Sequence, residues 1–312
     1  MLSNTIRQLD QRQGNDSSPV TTRATNDPHS VCSPSPAIAA IGQLTDSHRK
    51  PKNARSKRAL NARAPKLVEG QKTTLLLRGS SASETIQSVL GDLHALKKPA
   101  AVKFTKKNGG IHPFEDGDGG ASALEFFSRK NDASLLVLAS HSKKRPHNLT
   151  LARTFDHRLL DLHEFGVDPA TYAALVRFHA VEKPQVGCKP MLLFIGDGWE
   201  HDARMRAVKA LWMDFFRGVP VDSVDVEGLQ YVLSFTAAPE TADGGDGAGE
   251  CRMHLRGHMI RTRRSGQKLP RVEVEETGPR IDLTLRRVQD ASDEMLKEAL
   301  KTPRKQLVRP LS

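Results

Sequence analysis

The sequence predicts an α/β protein of two similar halves, each a β-sheet with packed helices, with termini that lie outside the fold. Three observations carry this. Two short apolar runs, "TTLLLRG" from 73 and "PMLLFIG" at 190–196, have the length of buried strands, and each leads into a one-sided helical stripe. Both are followed by runs that read as further strands, the pattern of a duplicated α/β unit, although no repeat is visible residue by residue. Composition then marks off the ends. Hydrophobic residues make up 38% of the chain, below the roughly 45–50% usual for a globular protein, so part of it stands outside a core.

Residues 1–48 are rich in Ser, Thr, Asn, Asp and Pro without sustained period, and are expected to be a disordered extension. Residues 49–72 form a basic arm, with Glu69 as the sole acid, that serves nuclear import, RNA contact or both. The folded part is expected over 73–289, divided into 73–185 and 186–289. In the first half the strand at 73–79 precedes Ser81-x-x-Glu84, a capping box, and a helix with Ile86, Val89, Leu90 and Leu93 on one side until Pro99. A basic loop (97–110), an acidic glycine loop (111–120), a short helix near 122–130 and a buried strand at 133–140 come next. After the basic turn at 140–148, "LTLARTF" alternates as a strand, and 157–180 is expected to be mostly helical. The second half opens with the 190–196 strand. A helix from about 200 to 217 follows, with Met205, Val208, Trp212 and Phe215 on one stripe. Strands are expected at 229–236, 251–260, 271–276 and 281–287, with a flexible connection at 239–250. A polar-basic tail covers 290–312.

Several function classes find no support. No apolar run approaches the roughly 18 residues of a membrane span, and no secretory h-region follows the first charges. Cys32, Cys188 and Cys251 are odd in number and scattered, which suits neither a disulfide framework nor zinc, and points to a reducing compartment. The turn "FIGDGWEH" at 194–201 sits where phosphate loops sit, yet it has His201 at the third glycine position and acids that would repel phosphate, so it reads as a structural turn. In "KKNGGIHPFEDGDGG" (106–120), His112, Glu115, Asp116 and Asp118 lack calcium-loop spacing and lie beside Lys106 and Lys107, so a charged surface turn is expected. No serine-nucleophile motif is present. The reading is of a protein without cofactor, metal or catalytic residues.

Charge is the informative global property. The net charge is +11, while residues 1–48 hold three arginines against four aspartates, so the whole surplus lies after them. Such a balance points to a polyanion, nucleic acid first. Candidate phosphate contacts in the arm are Lys50, Lys52, Arg55, Lys57 and Arg58. In loops they are Lys97, Lys98, Lys106, Lys107, Lys143, Lys144 and Arg145. In "RMHLRGHMIRTRR" (252–264) strand alternation places Arg252, Arg256 and two histidines on one face, a cationic platform with no acid between 251 and 272. Arg261, Arg263 and Arg264 extend it, and Arg280 completes the set. With two Trp and two Tyr, base stacking is poorly supported, and backbone and shape contacts are expected instead.

The motif "GPRIDLTLRR" (278–287) resembles the closing motif of Brix-domain proteins, a family of ribosome-assembly factors. "KPKNARSKRAL", "DLHALKKP", "KKNGGIHPFED", "LEFFSRKNDASLLVLASHSKKRPHNLTLARTFD", "KPMLLFIGDGWE" and "DFFRG" resemble it too, in the right order over about 49–290. The resemblance implies a Brix domain whose halves resemble anticodon-binding domains, and a nucleolar, non-enzymatic factor for the large (60S) subunit. It implies a heterodimer with the regulator of ribosome synthesis protein. It further implies work with 5S rRNA and its two ribosomal proteins on pre-60S particles, in contact with large-subunit rRNA and with no membrane. The alternative is a protein-binding scaffold whose basic charge serves nucleolar retention. Residues 1–48, the extra glycines after "IHPFED", the loop 239–250 and the short tail depart from the family pattern.

Overall fold

The computed structural model describes residues 53–63, 71–115, 119–179, 181–218, 223, 228–238, 251–267 and 271–301. The expected disorder of 1–48, the loop 239–250 and the end of the tail lie outside them. The described residues 53–62 belong to a unit apart from the rest of the chain. There the basic arm contains helix α1 (Ala54–Arg63), whose start is capped by Asn53 Oδ1, 2.8 Å from the Ser56 amide.

The rest of the chain runs in order through β1 (Thr74–Gly79), α2 (Glu84–Lys97), β2 (Ala101–Asn108), α3 (Ala121–Asn131), β3 (Leu135–Ser140), β4 (Asn148–Phe155) and β5 (Arg158–Val167). A 3-10 turn at Leu175–Phe178 leads to β6 (Met191–Ile195), α4 (Gly198–His201), α5 (Ala203–Phe216), β7 (Tyr231–Ala237), β8 (Arg252–Arg263), β9 (Arg271–Gln289) and α6 (Asp293–Ala299).

The strands join into one nine-stranded sheet, in the order β2-β1-β3-β4-β5-β9-β8-β7-β6. Apart from β2, the order reads alike from both ends. A parallel pair (β1 with β3, β6 with β7) is followed by two antiparallel neighbours, and the runs meet where β5 pairs antiparallel with β9. Each parallel pair needs a crossover, supplied by α2, β2 and α3 between β1 and β3 and by α4–α5 between β6 and β7. The duplicated unit expected from the sequence is therefore present, but its two sheets are fused into one.

Side-chain alternation decides the faces. On one face Leu76, Val137, Leu151 and Phe165 of the first run and Leu233, Phe235, Leu255 and Leu283 of the second form a continuous core. It is closed by Ile86, Val89 and Leu93 of α2 and by Val208, Trp212 and Phe215 of α5. On the opposite face Leu75, Leu77, Leu136, Leu138 and Leu162 pack beneath Leu124 of α3, with Phe104, Phe114 and Phe127 at the margin. β1 and β3 are thus buried on both faces, which explains their unbroken apolar sequences. Over β6–β9 this second face carries no α-helix counterpart of α3 among the described residues; the 3-10 turn Leu175–Phe178 packs on β9.

Several expectations need correction. Helix α2 is capped by Ser83, whose Oγ accepts from the Ile86 amide at 3.5 Å, rather than by Ser81, whose Oγ donates to the His141 carbonyl. The stretch 158–167 is a strand, because Asp156 and His157 have φ of 49° and 60° and form a two-residue hairpin turn with both centres left-handed. Most of the expected basic loop 97–110 is β2, an edge strand made polar by Lys103, Lys106 and Lys107. The strands expected at 271–276 and 281–287 are one strand, β9. It passes Gly278–Pro279 at a register shift, and at φ of 74° Gly278 leaves room for the Phe178 ring, 2.5 Å from where a Cβ would stand.

Candidate nucleic-acid interface

Parallel strands β2, β1 and β3 all end on the same side of the sheet, the position where α/β sheets bind ligands. Register places Arg78 of β1 opposite Lys107 of β2 and Ala139 of β3. Lys106 and Lys107 are exposed, while the Arg78 Nε is buried with no hydrogen-bond partner among the described residues. Three residues beyond β3, the chain makes a tight turn. The Ser142 amide donates to the Arg145 carbonyl at 3.1 Å, the Arg145 amide donates back at 3.2 Å, and Lys143 and Lys144 stand exposed at the tip. This turn is moored to the start of α2, because Ser83 Oγ lies 2.9 Å from His147 Nδ1 and the His147 amide donates to His141 Nδ1 at 3.1 Å. Burial first, then the nearby charges of His141 and Arg286 against the opposing pull of Asp168, hold the His147 imidazole below its ordinary pKa.

The same end continues across the seam. Asn148, Gly166 and Thr284 are in register on β4, β5 and β9. Gly166 leaves room for Arg286 here: an added Cβ would meet its guanidinium at 2.5 Å and push that side chain aside. Arg286 lies across it and donates from Nη1 to the Pro146 carbonyl and to Asn148 Oδ1, both at 3.1 Å. A buried acid lies against this cluster. Glu164, 1% exposed, accepts from Arg287 Nη2 at 2.8 Å and Asn148 Nδ2 at 2.7 Å, with Arg145 Nε at 3.6 Å. Burial raises its carboxyl, but the hydrogen bonds from Arg287 and Asn148 outweigh it and hold the group below the usual carboxylate range.

The acidic glycine stretch is fastened to this end of the sheet. The Phe114 ring sits 4.0 Å beneath the Arg287 guanidinium, Ile111 is buried, and the Glu115 amide donates to the His112 carbonyl at 3.0 Å. A turn that reads as a ligand cluster in sequence is a wedge under an arginine. Asp116 and Asp118 lie outside the described residues. The turn at 194–201, expected to be structural, is pinned from within. Trp199 is buried, and its Nε1 donates to the carbonyls of Ile195 and Phe235, both at 3.1 Å, while Asp202 caps α5.

The structure brings together Lys106, Lys107, Lys143, Lys144 and Arg145, and adds Arg78 and Arg286, which sequence reasoning missed. Arg286 stands in the "LRR" of the quoted motif, but only the β5–β9 register shows what it crosses. Other candidates fall elsewhere. Lys97 is 3% exposed, with its Nζ 5.6 Å above the Phe215 ring and no hydrogen-bond partner among the described residues, so it is no RNA contact. Burial, with Lys72 adding and Asp214 opposing, pushes its ammonium pKa down to about 8. Lys98 is exposed at the opposite end of the sheet, just before β2. Arg55, Lys57 and Arg58 are exposed on α1, and Lys50 and Lys52 lie outside the described residues.

The expected platform on β8 also needs correction, because β9 brings acids against it. Arg256 pairs with Asp282 at 2.6 Å, Arg261 with Glu275 at 3.4 Å, and Arg263 with Glu273 at 2.7 Å. Arg280 holds Glu276 at 3.0 and 2.6 Å. Arg252 and Arg264 are exposed.

Comparison with known families matches residues 79–287 to the Brix domain. The chain is 49% identical over 262 residues to the Ribosome production factor 2 homolog of Schizosaccharomyces pombe, covering 84% of this chain and 79% of that protein. The homologs of the same name from Chaetomium thermophilum and Homo sapiens are 45% identical over 274 residues and 41% over 255, covering 81% and 82% of this chain and 77% of each relative. These names give the chain a role in ribosome biogenesis. With the Brix match spanning most of the sheet and relatives this similar along four-fifths of its length, the chain belongs to the Brix-domain family, among the ribosome production factor 2 homologs.

Proposed function

We propose that the chain is a non-enzymatic factor of large-subunit assembly in the nucleolus. It holds rRNA at the cationic end of its sheet and helps bring the 5S ribonucleoprotein to pre-60S particles. The observation that carries this reading is the row formed by Arg78, Lys106, Lys107, Lys143, Lys144 and Arg286, cations of four segments set along one end of the sheet, with Glu164, 1% exposed, paired to the neighbouring Arg287 and Arg145. Such a row suits successive phosphates, giving affinity without reading bases. Arg55, Lys57 and Arg58 on α1 supply a second basic element. Residue-level crosslinking to 5S and large-subunit rRNA tests the reading: crosslinks should concentrate at residues 106–107, 143–145 and 286. Crosslinks confined to the β8–β9 face would overturn it.

The second face over β6–β9 also favours a protein-binding role alongside RNA. Edge strand β6 exposes Met191, Leu193 and Ile195 by 43%, 40% and 44%, and register sets them beside Val232, Ser234 and Thr236 of β7. An apolar edge with open hydrogen-bonding groups is a ready seat for another chain. We assign it to the heterodimer partner, the regulator of ribosome synthesis protein. Leu193→Glu should abolish co-purification of the pair while leaving the RNA affinity of the single chain unchanged.

A further inference from the structure

A cavity of about 600 Å³ opens on the second face of the sheet, where Arg256 and His258 of β8 and Glu276, Arg280 and Asp282 of β9 form the floor. The chain leaving β5 makes the wall, with Ala170, Thr171, Tyr172, Ala173 and Arg177 lining it. That wall is fixed. Ala173 exchanges two hydrogen bonds of 2.9 Å with Arg280 across β9, and the Tyr172 hydroxyl donates to buried Asp92 at 2.7 Å.

The guanidiniums are held in place yet keep donors in reserve. Arg256 commits Nη1 to the carbonyls of Leu255 and Ile281, at 2.9 and 3.3 Å, and Nη2 to Asp282. Arg280 commits Nε and Nη2 to Glu276, so its Nη1 carries no bond among the described residues. Arg177 is exposed at the mouth and makes no ion pair among the described residues. An arginine has five N–H donors, so each retains some for a ligand. Three guanidiniums against two carboxylates leave a surplus of one positive charge in the lining. One phosphodiester group carries the charge that cancels it. Burial, with Arg256 adding and Glu276 opposing, keeps the His258 imidazole below its ordinary pKa, so near neutral pH it offers one donor and one acceptor.

We propose that this cavity takes one unpaired nucleotide of RNA, its phosphate on Arg177 and Arg280 and its base against His258. The volume suits a nucleotide-sized group, whereas a lone carboxylate of an acidic peptide would leave most of it empty. Position favours the same ligand. Arg280, Asp282, Thr284 and Arg286 alternate onto one face of β9, so an RNA backbone held at the cationic end passes along Arg286 toward the cavity. RNA offers such splayed nucleotides at bulges and loops. The assignment rests on the reading of this chain as an RNA-binding factor, and sharpens it from backbone contact to recognition of an interrupted helix.

The test compares two RNA hairpins, identical except that one carries a single unpaired nucleotide in its stem, by fluorescence anisotropy with the full chain. The wild type should prefer the interrupted hairpin about tenfold. Ala170→Trp, which fills the cavity without changing charge, and Arg177→Ala should each bring the ratio close to one. The double change Lys143→Ala, Lys144→Ala should weaken both RNAs together and keep the ratio. A preference that survives both cavity variants would overturn the proposal while leaving the RNA reading intact. So would a polyglutamate peptide that binds the wild type but not Arg177→Ala, which would make the ligand a protein. Binding to neither hairpin would remove the RNA reading itself.

Discussion

Replacing Lys97 by methionine should stabilise this protein, and the gain should depend on pH. Lys97 closes α2 against Phe215 of α5, its ammonium out of water and without a hydrogen-bond partner among the described residues. The folded-state pKa is pushed from 10.5 to about 8. That is a difference of about 2.5 pH units, each worth about 1.4 kcal/mol, so keeping the charge at neutral pH costs roughly 3–4 kcal/mol. The sign is fixed by proton binding. Between pH 8 and 10.5 the unfolded chain holds this proton and the folded chain does not, so stability rises with pH there. Methionine has similar volume and no charge, and suits an irregular apolar gap. Urea unfolding should show Lys97→Met more stable by about 2–3 kcal/mol at pH 7, with most of the gap gone at pH 10. RNA affinity should not change. A variant less stable than wild type at pH 7, or a gap indifferent to pH, would refute the reasoning.

Three other outcomes follow from the site. Glu164→Ala should cost about 1–3 kcal/mol, because it removes the acceptor of the half-exposed Arg287 guanidinium and of the buried Asn148 amide; a thermal melt showing no loss of stability would contradict the network described. Acid should weaken the wild type by the same route. The depressed carboxyl of Glu164 stabilises the fold above its unfolded value, 4.5, and that stability is lost as pH falls through the lower folded value, so the wild type should lose more stability between pH 5 and pH 3 than Glu164→Gln does. Gly166→Ala should dislodge Arg286 and weaken rRNA binding several-fold, about 1 kcal/mol for one charged contact, with the melting curve nearly unmoved; unchanged affinity would remove Arg286 from the interface.

What the sequence made legible, and what it hid, divides by the range of the interaction. Local signals were reliable. The apolar runs of β1, β3 and β6 and the stripes of α2 and α5 are written in consecutive residues, and each appears within a few positions of its expected place. β5 was misread because its hairpin turn is Asp156–His157, two residues that take left-handed backbone without the Asn-Gly or Asp-Gly signature. β2 was misread because an edge strand protects itself with lysines, and lysines among polar residues read as loop. The site suffered more. Lys97 looks like its neighbour Lys98, and only the packing of α2 on α5 distinguishes a buried ammonium from a surface one. The β8 arginines looked unopposed because their acids, Glu273, Glu275 and Asp282, come from the next strand. Conversely, Lys107 and Lys143 are far apart in sequence and become neighbours of one sheet end only through the parallel register of β2, β1 and β3.

The central claim is that the row at the ends of these strands carries RNA binding by charge. The direct measurement is the rRNA affinity of the full chain as a function of salt, for the wild type and for a variant with Lys106, Lys107, Lys143 and Lys144 changed to alanine. Each phosphate contact adds about 0.7–0.9 to the slope of log affinity against log salt. The wild type should therefore lose roughly 100-fold or more in affinity between about 50 and 200 mM salt, and the variant's slope should be shallower by about 3. A binding constant indifferent to salt, or a slope that the four substitutions leave unchanged, would contradict the account.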